Sequence, residues 1–318
     1  MSNAIRVGLI GVGKMGQNHL RILSMLKGVE LAFIHDTNSA AAEKLATIYG
    51  VKAVDNPFDH LENTDAMVIA SPTVTHADVV KKVGKKVRNI FVEKPLSATL
   101  AEAKELAAFA QASNLNIQVG FIERFNPAVQ ATKRVLNRSN RVISIDFTRT
   151  NKLSSRITDV DVVTDLMIHD IDLAMYMNGP VKTVEAHGMA QGSMIDFASA
   201  LLTHTNGSFS RIQASRVTEK KMRMIQATCN DMFVDCDLLR KEIIISRQSE
   251  IRQVEGEPYT IGALQEYVEV RPEEALLSEH QAFMASCRGK ANAERPSVQA
   301  GLDAMIVCDQ IQKAVLRQ

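Results

Sequence analysis

The stretch "IRVGLIGVGKMG" (Ile5–Gly16) decides how this 318-residue chain is read. Its apolar half, Ile5 to Ile10, predicts a strand buried on both faces. Gly11, Gly13 and Gly16 follow in G-x-G-x-x-G spacing, and "QNHLRILSML" continues with helical periodicity. A second apolar run, "VELAFIHD", ends in Asp36, twenty residues beyond Gly16. Three spaced glycines alone are a weak signal. Strand, glycine turn, helix, strand and terminal acid together match a dinucleotide-binding unit. Gly11 permits the tight turn, Gly13 lets backbone approach a pyrophosphate, and Gly16 lets the helix lie close to the strand. Amides at the helix start, where Lys14 and Met15 stand, would hold the pyrophosphate charge. Asp36 would accept hydrogen bonds from the adenosine ribose and repel a 2′-phosphate, and no Arg or Lys follows it directly. The expected cofactor is therefore NAD rather than NADP.

The same alternation continues outward. "SAAAEKLATIYG" predicts a helix stopped by Gly50. "DAMVIAS", "NIFVEKP" and "NIQVGF" predict strands, with helices at "HADVVKKV" and "LAEAKELAAFAQAS". Apolar strands separated by helices mean a parallel sheet covered on both faces. After Phe121, "NPAVQATKRVLN" predicts one more helix, and from Arg141 alternating β-branched runs such as "RVISIDFTRT", "SFSRIQASR" and "MRMIQATC" predict an antiparallel sheet. "TDLMIHDIDLAMYMNGP" predicts a helix among those strands, capped by Thr164 and ended by Asn178–Pro180. A long helix from about Ser297 to Leu316 closes the chain. The expected fold class is α/β: an N-terminal Rossmann parallel sheet plus a C-terminal α+β domain with a largely antiparallel open sheet. The division is placed at residue 120, with 1–120 binding the dinucleotide and 121–318 binding substrate and forming oligomer contacts.

With 46% hydrophobic and 23% charged residues, the composition is that of an ordinary globular protein. A formal net charge of +1 leaves no global field to draw the chain to nucleic acid or a membrane surface. No apolar run reaches spanning length and no secretory segment is seen. Cys229, Cys236, Cys287 and Cys308 show no C-x-x-C spacing, so they are expected as reduced thiols in a cytoplasmic protein. No set of residues has metal-ligand spacing.

"ASPTVTH" (Ala70–His76) should form a loop at the ligand-binding end of the sheet, making Ser71, Pro72, Thr73 and His76 cofactor candidates. "NIFVEKPLS" puts Glu93, Lys94 and Pro95 directly after a strand, where the ammonium could donate to a substrate hydroxyl or exchange a proton. On a regular helix, Asp165, His169 and Asp172 would share one face. An imidazole exchanges protons near neutrality. Asp165 could orient that ring or grip a neighbouring hydroxyl, with Asp172 deeper on the stripe.

The combination G-x-G-x-x-G-x-x-H (Gly11, Gly13, Gly16, His19), E-K-P (Glu93–Pro95) and D-x-x-x-H-x-x-D (Asp165, His169, Asp172) resembles the Gfo/Idh/MocA oxidoreductases over essentially the whole chain. That resemblance implies a nicotinamide-dependent oxidation or reduction at a sugar or inositol carbon, with Lys94, Asp165 and His169 at the family's catalytic positions. Met167 departs from the pattern, because many members have Gly there. "VGFIERFNPAV" (Val119–Val129) and "DLMIHDIDLAMYM" (Asp165–Met177) are similar to the UDP-N-acetylglucosamine 3-dehydrogenase branch. It implies a nucleotide-sugar substrate, a 3-keto product passed to an aminotransferase for lipid A, and substrate contact by Arg124. A dehydrogenase of a free sugar or inositol, and a non-catalytic NAD-binding regulator, are the alternative readings. A homodimer or tetramer is expected, built on the exposed face of the second sheet.

Overall fold

The computed structural model describes residues 4–152, 160–252, 260–290, 292 and 294–317. Two compact units are formed, one of residues 1–125 and 274–306, the other of residues 126–273 and 307–318.

The first unit holds five strands, β1 (Ile5–Ile10), β2 (Val29–His35), β3 (Ala66–Ile69), β4 (Asn89–Glu93) and β5 (Asn116–Gly120), in the order β2-β1-β3-β4-β5. Every pairing is parallel. Helices α1 (Lys14–Met25), α2 (Ser39–Tyr49), α3 (His76–Val83) and α4 (Leu100–Ala112) make the crossovers. Their ends obey local chemistry: Asn38 accepts from the Ala41 amide, Gly50 closes α2 at φ +63°, and Thr99 with Glu102 forms a capping box on α4. The order runs outward from β1 in both directions, so the chain ends of β1 and β3 part at a switch point, where such sheets hold ligands.

The second unit begins with α5 (Pro127–Leu136) and β6 (Val142–Thr150), followed by α6 (Ile168–Asn178). Seven strands follow: β7 (Val181–Gln191), β8 (Met194–His204), β9 (Phe209–Ser215), β10 (Met222–Cys229), β11 (Met232–Asp237), β12 (Glu242–Arg252) and β13 (Thr260–Val268). Their order is β13-β12-β11-β10-β6-β9-β8-β7, antiparallel except where β6 lies parallel to β9. Alternation marks the covered face: Ile225, Ala227 and Cys229 on β10, and Met232, Val234 and Cys236 on β11 are buried. On β6 the same face carries Ile145, Phe147 and then Arg149, all buried. A guanidinium on an apolar face needs a partner. Asp170 of α6 supplies it, accepting Arg149 Nε at 2.7 Å and Nη2 at 2.8 Å.

Two expectations are revised. The chain is not divided by a single cut at residue 120. Helix α7 (Ala275–Cys287), for which no helix was predicted, belongs to the first unit. Its Phe283 and Met284 join Val7, Leu9, Ile34, Val68 and Phe91 in one core cluster. Helix α8 (Val298–Leu316) is divided between the units at residue 306. The second revision concerns the stretch around Asp165. It is not a uniform α-helix capped by Thr164. Residues Val163–Met167 form a π-helical turn, with the Ile168 amide donating to the Val163 carbonyl, and regular α geometry starts only at Ile168. The capping oxygen is Asp161 Oδ1, which accepts from the Thr164 amide at 2.9 Å. Thr164 Oγ1 instead accepts from Gln312 Nε2.

Three cysteines are buried and Cys287 is half-buried, all as free thiols. Among the described residues, no helix is long and apolar enough to cross a membrane.

Candidate functional site

In the first unit a cleft of about 610 Å³ opens over the ends of β1, β2 and β3, at the switch point. Gly11, Gly13, Asp36, Ser71 and Pro72 line it. Each glycine has its own physical reason. Gly11 sits at φ +92°, and a Cβ there would lie 2.6 Å from the Ala70 carbonyl. A Cβ on Gly16 would come within 1.9 Å of the Gly11 carbonyl oxygen, so α1 can lie this close only without a side chain. At Gly13 a Cβ would meet nothing, because the backbone faces open space. Gly13 is also the N-cap of α1, and among the described residues no side chain caps that helix. An uncapped helix start facing an open cleft suits a pyrophosphate.

Asp36 is held firmly: the Val12 amide donates to Oδ2 at 2.7 Å and the Asn38 amide to Oδ1 at 2.9 Å. Each oxygen keeps a lone pair for a ribose hydroxyl. Asp36→Ala is expected to raise the Kd for NAD⁺ about tenfold or more, the worth of a hydrogen bond to a charged group, and to narrow the preference over NADP⁺. Calorimetric titration with both cofactors checks this, and unchanged NAD⁺ affinity would remove Asp36 from the site.

The cleft also contains residues that sequence reasoning missed. Pro57 and Phe58 lie in a 3₁₀ segment, and Lys82 on α3 places its ammonium 5.2 Å from the Phe58 ring centre. Asn56 capping this segment was a readable turn signal, but nothing local says that the turn faces a ligand.

The remaining cofactor candidates are placed differently. Lys14 and Met15 are exposed on the first turn of α1, and Gly16 is buried under it. Thr73 opens a single 3₁₀ turn after Pro72. His76 is buried between the Ser71 loop and the turn after β4, with Nδ1 2.9 Å from the Pro95 carbonyl and Nε2 2.9 Å from the Ser71 carbonyl, and its neutral ring donates to one of the two. That turn carries half-buried Lys94, joined to Pro95 by a cis peptide bond, and buried Glu93. Buried Arg124 lies in the 3₁₀ turn Ile122–Phe125, against which α7 packs.

Burial pushes the imidazoles of His76 and His204 below their ordinary value near 6.5, and that of fully buried His280 well below it. These rings stay neutral in the folded chain at a pH where the unfolded chain takes up protons. Stability from them is therefore complete above about pH 6.5 and is lost as pH falls through that range. Thermal midpoints across about pH 8 to pH 5 should drop on the acid side. A flat profile would contradict the burial of these rings.

In the second unit, Asp165 lies in the π-helical turn and His169 in the first turn of α6, both half-buried, whereas Asp172 is buried. The π turn ends at Met167, two residues before His169. Such turns recur at functional positions. Asn178 at the far end of α6 donates to Ser210 Oγ, which also meets His204 Nε2, fixing the helix against β9.

A switch-point cleft beside a glycine turn and a helix start defines a dinucleotide-binding class. Residues 5–121 match the model described as "Oxidoreductase family, NAD-binding Rossmann fold", and residues 141–231 match the "GFO/IDH/MocA C-terminal domain". The chain belongs to the GFO/IDH/MocA oxidoreductase family, and its first unit is that family's NAD-binding Rossmann fold. It is 29% identical over 282 residues to UDP-N-acetylglucosamine 3-dehydrogenase from Acidithiobacillus ferrooxidans, covering 88% of each chain. A solved structure of that enzyme matches with a TM-score of 0.87 at 27% identity over 98% of each chain. Identity to scyllo-inositol 2-dehydrogenase (NAD(+)) from Bacillus subtilis is also 29%, over 236 residues and 69% of each chain.

Proposed function

We propose that the protein oxidises a sugar hydroxyl with NAD⁺, and that its substrate is UDP-N-acetylglucosamine, oxidised at C3 to the 3-keto sugar. The observation that carries this reading is the similarity to the A. ferrooxidans enzyme, which extends over 88% of both chains. Bound NAD⁺ supplies the acceptor for the hydride leaving the carbinol carbon. Lys94 donates to the substrate oxygen and polarises it, and His169 takes the hydroxyl proton. Asp165 orients the imidazole or hydrogen-bonds a neighbouring hydroxyl, and Arg124 contacts the sugar nucleotide. The alcohol thereby loses one hydride and one proton and becomes a ketone.

A second reading, oxidation of inositol or a free sugar, is favoured by the equal identity to the scyllo-inositol enzyme. A non-catalytic regulator has no use for Lys94 and His169 as an acid–base pair. The test mixes purified protein and NAD⁺ with UDP-N-acetylglucosamine, myo-inositol, scyllo-inositol or free hexoses, and follows reduced nicotinamide. An aminotransferase that removes the ketone draws the uphill oxidation forward. Turnover only with inositols would replace the substrate, and inertness throughout with NAD⁺ bound would favour the regulator.

A further inference from the structure

Three titratable side chains from distant parts of the chain meet inside the first unit. His19 of α1 and His280 of α7 are 0% exposed, and Glu93 at the end of β4 is 9% exposed. His280 Nε2 lies 2.7 Å from His19 Nδ1, His19 Nε2 lies 2.9 Å from Glu93 Oε1, and the Lys94 amide donates to Glu93 Oε2 at 3.0 Å. Phe91 packs against both rings, stacked on His280 and edge-on to His19. Gly120, paired with Glu93 across β4 and β5, leaves room for the carboxylate: a Cβ there would lie 2.9 Å from Glu93 Cδ.

The direction of these bonds follows from counting protons. Glu93 Oε1 needs a donor, so His19 carries its proton on Nε2. If His19 also carried one on Nδ1, His280 would accept at Nε2 and hold its own proton on Nδ1. That atom is buried with no polar partner among the described residues. A stranded donor there is costlier than a bare lone pair. His280 therefore donates from Nε2, consistent with burial holding its ring neutral.

We propose that His280 and His19 are positioning residues for Lys94. Hydrogen bonds donated in one direction, from His280 to His19 to Glu93, hold the carboxylate that receives the Lys94 amide and so fix the turn presenting the lysine. This rests on the reading of Lys94 as a catalytic group.

The test uses the full-length chain with NAD⁺ bound and two variants at one position. His280→Leu removes the donor, whereas in His280→Gln the amide nitrogen can stand where Nε2 stood. For His280→Leu, kcat should fall about tenfold to a hundredfold, as for a slightly misplaced reacting group, with KM and NAD⁺ affinity little changed. His280→Gln should recover most of the loss. Gly120→Ala, which displaces Glu93 from the other side, should reproduce the His280→Leu defect. Independently of any substrate, ¹H–¹⁵N spectra should show both rings as neutral Nε2–H tautomers. The Lys94 amide signal should move upfield in His280→Leu and stay near its wild-type position in His280→Gln.

A Lys94 amide unmoved by His280→Leu would overturn the proposal. So would equal kcat losses in both His280 variants that follow the loss of thermal stability. If the wild type turned over no sugar, the substrate reading would fail alone, and the amide and tautomer signals would still decide this one.

Discussion

Lys94→Ala and His169→Ala are each expected to lower kcat about 10²–10⁴-fold, the usual worth of a positioned proton-transfer group, while NAD⁺ affinity should stay within a few-fold. The expectation rests on where the two side chains are carried. Lys94 follows the last residue of a buried strand and is half-buried, so its position is set by β4 and the turn rather than by a mobile loop. His169 stands on the first α-helical turn after the π segment, on a helix anchored to β6 and β9. If both serve one chemical step, the double variant should be little slower than the worse single one. Losses that multiply would assign them to separate steps. Near-wild-type turnover in both single variants would remove them from the reaction altogether. NADH fluorescence titration run beside the kinetics separates lost chemistry from lost cofactor binding.

The second large effect concerns stability. Arg149 and Asp170 form a buried, two-pronged ion pair, with side chains 5% and 3% exposed. Asp170→Ala leaves a guanidinium on the covered face of the sheet, at a cost of about 3–5 kcal/mol. At roughly 2–4 °C per kcal/mol for a unit of this size, the thermal midpoint should fall by roughly 6–20 °C. The companion Arg149→Met/Asp170→Leu variant should recover most of that loss, because removing both charges also removes the uncompensated one. Asp170 directly follows His169, so the pair also sets the seat of the imidazole. The double variant, though stable, should then retain reduced kcat. A single-variant midpoint within about 2 °C of wild type would show that the pair is not structurally important.

How much of this was legible differs between the two units. The dinucleotide half could be read because its determinants are local: strand, turn, helix and acid all fall within Ile5–Asp36. The tight turn expected at Gly11 and the close helix packing expected at Gly16 follow from spacing, and the backbone gives both the same reason. Thr164 was misjudged as a cap because hydroxyl and carboxylate caps look equivalent in sequence; Asp161 takes the amide instead. The π turn left no pattern, since one displaced hydrogen bond does not alter the hydrophobic period. Helix α7 was missed because its buried residues, including Glu279 and His280, do not form a clean apolar stripe.

The sequence by itself determined the parallel nucleotide-binding sheet, the presence of a second, mostly antiparallel sheet, and the residue types offered for chemistry. Tertiary structure decided which side chains meet. Nothing local tells His19 that its neighbour is His280, 261 positions away, or Arg149 that its counter-ion is on α6. Periodicity records only that a residue is to be buried. Which partner satisfies its polar atoms depends on how the elements pack, and that information is spread over the whole unit.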